Sequence, residues 1–316
     1  MVLPPRTRSI AIVLALLSAL LWSTYYLFVL WATPGARPSA VLFYPFLFGG
    51  VAYVGWAVAL GHGRTVAALW TQPAAYLRAG LLVGMQVAVL ASTYLIGPVD
   101  TSLLALIGDV VLTPIVVAYL LGIGRAHVQT SLFAAGLVLS LAGGTMTIVA
   151  GQRLTAISTW GWLVVPAVPI CVAFYFLLTA RENIRLPPSA VVGQTAIAAA
   201  LGTALLAPLL PGGWAGLGTV RPVPLFLLAL TGVTSFFLAQ VCYFAAVERA
   251  GLIIPPMLMT GIPVFTLLLS SVFLGLALPW LGVLGIPVAV AGAILALREE
   301  SAPEPPPIAA GDAGAR

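Results

Sequence analysis

Ten stretches of about 20 apolar residues, each closed by a turn, limit what this chain can fold into more than any other feature. They lie at 10–31, 39–60, 75–96, 102–122, 128–150, 160–180, 189–210, 224–246, 252–275 and 279–297. The breaks hold turn formers such as Pro34-Gly35, Gly97-Pro98, Pro187-Pro188 and Pro211-Gly212-Gly213. An unpaired backbone amide has no water to bond in lipid, so each stretch is expected to be a helix that satisfies its own backbone. Of 316 residues 61% are apolar and 7% charged, a balance that would leave a soluble fold with extensive exposed apolar surface. The sequence therefore predicts an all-α membrane protein with about ten transmembrane helices.

Charge gives the chain a direction. All thirteen basic residues are Arg, and with a cytoplasmic N-terminus ten of them, Arg78 among them, fall inside. Arg37, Arg153 and Arg221 fall outside, which fits the excess of positive charge on cytoplasmic loops. A multi-pass cell-membrane protein with both ends cytoplasmic is expected. Arg6 and Arg8 ahead of an apolar stretch imitate a signal peptide, but the stretch is too long for one and reads as a retained first helix. The Pro-rich, acidic tail 299–316 reads as disordered. Arginines scattered singly do not form a nucleic-acid surface. Cys171 and Cys242 lack metal or redox spacing, and no cofactor is expected.

Shifted by 149 residues, the chain aligns with itself. Tyr26 falls on Tyr175, Pro38 on Pro187, Tyr94 on Tyr243, Pro114 on Pro263, Gly136 on Gly285 and Ala142-Gly143 on Ala291-Gly292. Five apolar runs superpose on five, giving units 10–150 and 151–298 flanked by a 1–9 N-terminus and the tail. An odd number of helices per unit starts the second on the opposite side of the membrane, so the halves are expected to be inverted repeats. That architecture is typical of secondary transporters, whose solute sites lie at the repeat interface.

Leu112 to Leu121 and Gly136 to Gly143 in the first half resemble the EamA-type transporters of the drug/metabolite transporter superfamily. So do Gly261 to Leu269, Phe273-Leu274-Gly275 and Gly285 to Gly292 in the second half, and Trp22-Ser23 near the start. The resemblance spans about residues 10–297. It implies ten helices in two five-helix repeats, cytoplasmic ends and export or exchange of small metabolites or drugs. The Glu often found after the Leu-Gly closing the fourth and ninth helices is replaced by His127 and Leu276.

Asp109 is the one acidic residue expected at mid-span, where an ionised carboxylate costs about 2.5 to 3.5 kcal/mol. It could carry a proton, pair with a cationic group, or serve as a hydrogen-bonded packing device. Gln86 and Gln240 could orient a solute from facing repeats or bond one helix to another. Trp22, Tyr25 and Tyr26, with Phe174 and Tyr175, could wall a pocket, although Tyr26 and Tyr175 near span ends read more readily as an interfacial belt. Pro114 and Pro263, matched in the repeat, are the candidate hinges. Gly49-Gly50 and Gly80-x3-Gly84 offer small surfaces for close helix approach, and such faces would also suit a homodimer.

Rival functions lack their residues. His62 and His127 are too far apart for a metalloprotease helix, a lone intramembrane Asp makes no aspartyl pair, and charge rings for a channel are absent, so an enzyme is not expected. A scaffold or receptor would not need an inverted repeat. With no Lys and no Arg read at mid-span, phosphorylated solutes are disfavoured. The expected partner is a small neutral, zwitterionic or mildly cationic metabolite, with protons as the coupling ion, in a lipid bilayer.

Overall fold

A computed structural model describes residues 5–96, 101–102, 105, 112–122, 125–149, 167–183, 185–251, 255, 258–275 and 280–297. These residues form helices, and no strand occurs among them. The helices are α1 (Pro5–Ala32), α2 (Pro38–Ala59), α3 (Pro73–Ile96), α4 (Thr113–Val116), α5 (Ser131–Val149), α6 (Ala167–Asn183), α7 (Pro188–Leu206), α8 (Pro222–Ala250), α9 (Gly261–Leu274) and α10 (Trp280–Leu297). Short helices at Gly63–Leu69, Arg125–Val128 and Ala215–Gly218 lie in the connections. Helix is thus present within each expected apolar run. Among the described residues five helices, α1, α2, α3, α7 and α8, are long and apolar enough to cross a bilayer by themselves. Three more apolar helical stretches, within α5, α9 and α10, are shorter.

Prolines and glycines set the helix ends. Pro38, Pro188 and Pro222 open α2, α7 and α8, where the missing N–H is one the helix could not use. α4 runs on as a π-helix, Val117–Leu121, that stops at Gly122 with φ 72°, and α9 stops at Gly275 with φ 66°. This left-handed backbone favours glycine. Arg125 folds back to donate from Nε to Ala118 O and from Nη2 to Tyr119 O, placing a cation on the exposed carbonyls there.

Within the helices, hydroxyls bond their own backbone. Ser23, Thr93, Thr195, Thr203, Thr231 and Thr234 each donate to the carbonyl four residues earlier, which removes a donor that lipid could not satisfy.

Helices from the first half of the sequence pack on helices from the second at several crossings. α2 packs on α7, with Gly50 against Ile197 and Gly193 against Tyr53 and Val54. α5 packs on α10, where Ser140 Oγ donates to Ala289 O at 3.3 Å across an interval of 149 residues. A Cβ on Gly143 would meet Gly285 O at 2.6 Å, and one on Gly292 would meet Gly136 O at 2.7 Å. Only glycine permits the two helices to approach so closely at these positions. α1 meanwhile packs on α8 and α9, and α3 on α6 and α7.

Candidate functional site

α1, α3, α6, α8 and α9 enclose a cavity of about 80 Å³. The space suits a few waters or part of a small solute. α1 contributes Trp22, Tyr25 and Tyr26, and α3 contributes Met85, Gln86 and Val89. α6 presents Val172 and Phe176, one helical turn apart. Opposite them stand Ser235, Phe236 and Gln240 of α8, with Ile262 of α9.

The cavity wall owes its shape to an irregular stretch of α8. Residues Gly232–Leu238 are wound as a π-helix, a form that recurs at functional sites. Gly232 begins it, because a Cβ there would lie 2.7 Å from Pro45 O and 2.9 Å from Gly49 N. Hydroxyls then stitch this stretch to α1. Thr24 Oγ1 lies 3.1 Å from Thr234 Oγ1 and 3.2 Å from Ser235 Oγ, and Ser235 donates to Leu21 O at 3.0 Å. Ser18 donates to Ala239 O at 2.8 Å, and Ser23 Oγ, whose one proton is shared with Ala19 O, lies 3.0 Å from Ile262 O, which ties α1 to α8 and α9.

Rings line most of the remaining wall. Trp22 stacks on Tyr243 at 5.8 Å and 25°, and lies 5.7 Å from Phe176. Tyr25 meets Phe236 edge-on at 6.0 Å, and Phe236 meets Phe46 at 5.0 Å. These are the offset and edge-to-face arrangements that aromatic quadrupoles prefer. Polar capacity is concentrated in two amides. The Oε1 atoms of Gln86 and Gln240 are both buried without a hydrogen-bond partner among the described residues. A buried acceptor left so costs about 1–3 kcal/mol, which a donor group on a solute would recover.

Of the residues singled out from sequence, the structure brings together Trp22, Tyr26, Gln86 and Gln240 on this cavity. Tyr175 is fully buried on another face of α6, within electrostatic reach of Arg78. Neither Tyr26, 6% exposed, nor Tyr175 faces outward, so the belt reading fails for both: bundle packing covers these ends of α1 and α6. Phe174 is 43% exposed, and Phe176, two residues on, takes the wall position expected of it. Pro263 is buried in the first turn of α9, where its missing N–H breaks no helical bond. It marks a helix start rather than a mid-helix kink. Pro114 lies in the short α4, and its side chain is outside the described part, as is the whole of Asp109.

Arg78 corrects the sequence reading most. Taken as an end charge, it is instead completely buried, with Nη1 3.7 Å from Glu182 Oε1 and Nε donating to Thr195 Oγ1 at 3.4 Å. Arg78 stands near the start of α3 and not at its middle, so what the sequence reading missed is its burial. Ser235, Thr24 and Ser18 also escaped sequence reasoning, since hydroxyls are common in membrane helices and only the crossing reveals their partners. Among the described residues no group of His, Cys, Asp and Glu could hold a metal ion.

A solved structure titled "Crystal structure of protein" aligns with 91% of this chain and 97% of its own, with a TM-score of 0.73 and 22% identity, which shows the fold. No curated protein matches the chain in sequence. Residues 159–298, a little under half of the chain, match the model of the EamA-like transporter family, so this part of the sequence is similar to that family.

Proposed function

We propose that the protein is a secondary transporter that exports a small neutral, zwitterionic or mildly cationic metabolite by alternating access, with the α1–α3–α6–α8–α9 cavity as its solute site. The single observation that carries this reading is the pair of amide oxygens, Gln86 from one half and Gln240 from the other, buried on one cavity among aromatic rings. Two acceptors in an aromatic enclosure suit a solute with N–H or O–H donors and an apolar body.

The reciprocal α5–α10 crossing, at residues the 149-residue shift equates, supports an inverted ten-helix repeat with the cavity at its interface. On the arginine count, both ends of the chain face the cytoplasm of a cell membrane. Proton coupling rests on Asp109 alone. The small-residue faces leave a homodimer open to measurement.

Liposomes holding the protein and an internal pH dye, placed under a pH gradient, would be challenged with amino acids, nucleosides and amphipathic amines. Proton movement evoked by one class supports the reading. Silence from folded protein, with no solute counterflow for any class, sinks it in favour of a scaffold.

A further inference from the structure

The cavity accounts for the amides and the rings but leaves Arg78 unexplained. Its side chain is fully shut off from solvent. A guanidinium brings five donors in a planar fork, and burying one is costly unless it is fully paired. Here Nε reaches Thr195, but neither Nη1 nor Nη2 finds a hydrogen-bond partner among the described residues. The 3.7 Å approach of Glu182 is an ion pair, well beyond the roughly 2.7–2.9 Å of a charge-assisted hydrogen bond. The cation therefore holds a carboxylate loosely.

Position adds a second argument. Arg78 precedes Gln86 on α3 by eight residues, about 12 Å along the axis, and Glu182 follows Phe176 on α6 by six, about 9 Å. The pair thus stands between the cavity and one end of the bundle, and the Glu182 side chain is 23% exposed, against none of Arg78. The 149-residue shift equates Arg78 with Leu227 and Glu182 with Thr33. Helix crossing alone does not demand charge here, because the matching place in the other half does without it.

We propose that Arg78 is a carboxylate-binding residue on the solute path, and that Glu182 fills that place in the closed arrangement of this structure. A solute carboxylate exchanges with Glu182 as it passes between water and the cavity, where its ammonium group meets the Gln86 and Gln240 oxygens. This rests on the transporter reading and narrows the solute to a zwitterion of the amino-acid type.

The test uses the purified full chain in detergent, with sodium formate as probe and sodium chloride at equal ionic strength as control. Glu182→Ala should melt below the parent, and formate should raise its midpoint by about 3 °C or more, the scale of one recovered charged hydrogen bond in a chain of this size. The double variant Arg78→Gln/Glu182→Ala should not respond. Formate acting no better than chloride, or equally on the double variant, overturns the proposal. Should Glu182→Ala fail to fold, Glu182→Gln undergoes the same titration. In liposomes, counterflow of L-phenylalanine against L-phenylalaninamide should favour the acid, and Arg78→Gln should erase a preference of tenfold or more. Formate rescue without any transport supports the Arg78 site and sinks the transporter reading. Transport without formate rescue does the reverse.

Discussion

Gly143 and Gly292 hold equivalent places on two crossed helices: each turns its bare Cα toward the backbone of the helix that carries the other. Gly143 faces Gly285 and Ala289, while Gly292 faces Gly136 and Ser140, so every contact has its mirror at the same interval of 149 residues. Reciprocity of this kind is what a two-fold axis between related surfaces produces.

Valine at either glycine should therefore be equally harmful. Gly143→Val and Gly292→Val would each force α5 from α10, at a cost of about 2–3 kcal/mol. Thermal unfolding in detergent measures both, and a difference of more than about 1 kcal/mol between them would contradict the reciprocal packing.

Gln86→Leu and Gln240→Leu remove an orphaned acceptor each, so neither should destabilise the fold. Solute affinity should fall about tenfold for each change, equivalent to about 1.4 kcal/mol. Saturation of counterflow against solute concentration gives the affinities, with melting temperature as the control for folding.

Trp22→Ala should cost about 3 kcal/mol in stability by removing a ring packed on Phe176 and Tyr243. Trp22→Phe should recover most of the stability and shift selectivity toward bulkier solutes. Unfolding and a flux panel run on the same preparations separate the two effects.

Asp109→Asn should abolish uptake driven by a pH gradient while sparing solute counterflow, which needs no net proton movement. Loss of both would assign Asp109 to the solute or to folding instead of to coupling.

The helices were legible because lipid imposes a single rule, and runs of apolar length between Pro and Gly obey it. Depth within the bundle was far less so. Arg78 stands five residues beyond Pro73, and sequence alone makes such a position a helix end facing water. Only the packing of α3 on α6 and α7 reveals that it is covered. The same blindness explains Phe174 and Phe176: two residues on a helix turn the side chain by about 200°, and no periodicity marks the inward face where all faces are apolar. Gln86 and Gln240 stood out because amides are scarce in these runs. The hydroxyls of Ser18, Thr24 and Ser235 did not, for the opposite reason.

The π-helical stretch of α8 has a consequence for how the cavity can change over generations. Gln240 and Tyr243 follow it, so the direction in which they point depends on how many residues that wide turn contains. Deleting a single residue between Gly232 and Leu238 would swing both by about 100° around the helix axis and take the amide and the Trp22-stacking ring off the cavity together. Every side chain would survive such a deletion and the site would not. In this part of the protein, the number of residues shapes the site as much as their identity does.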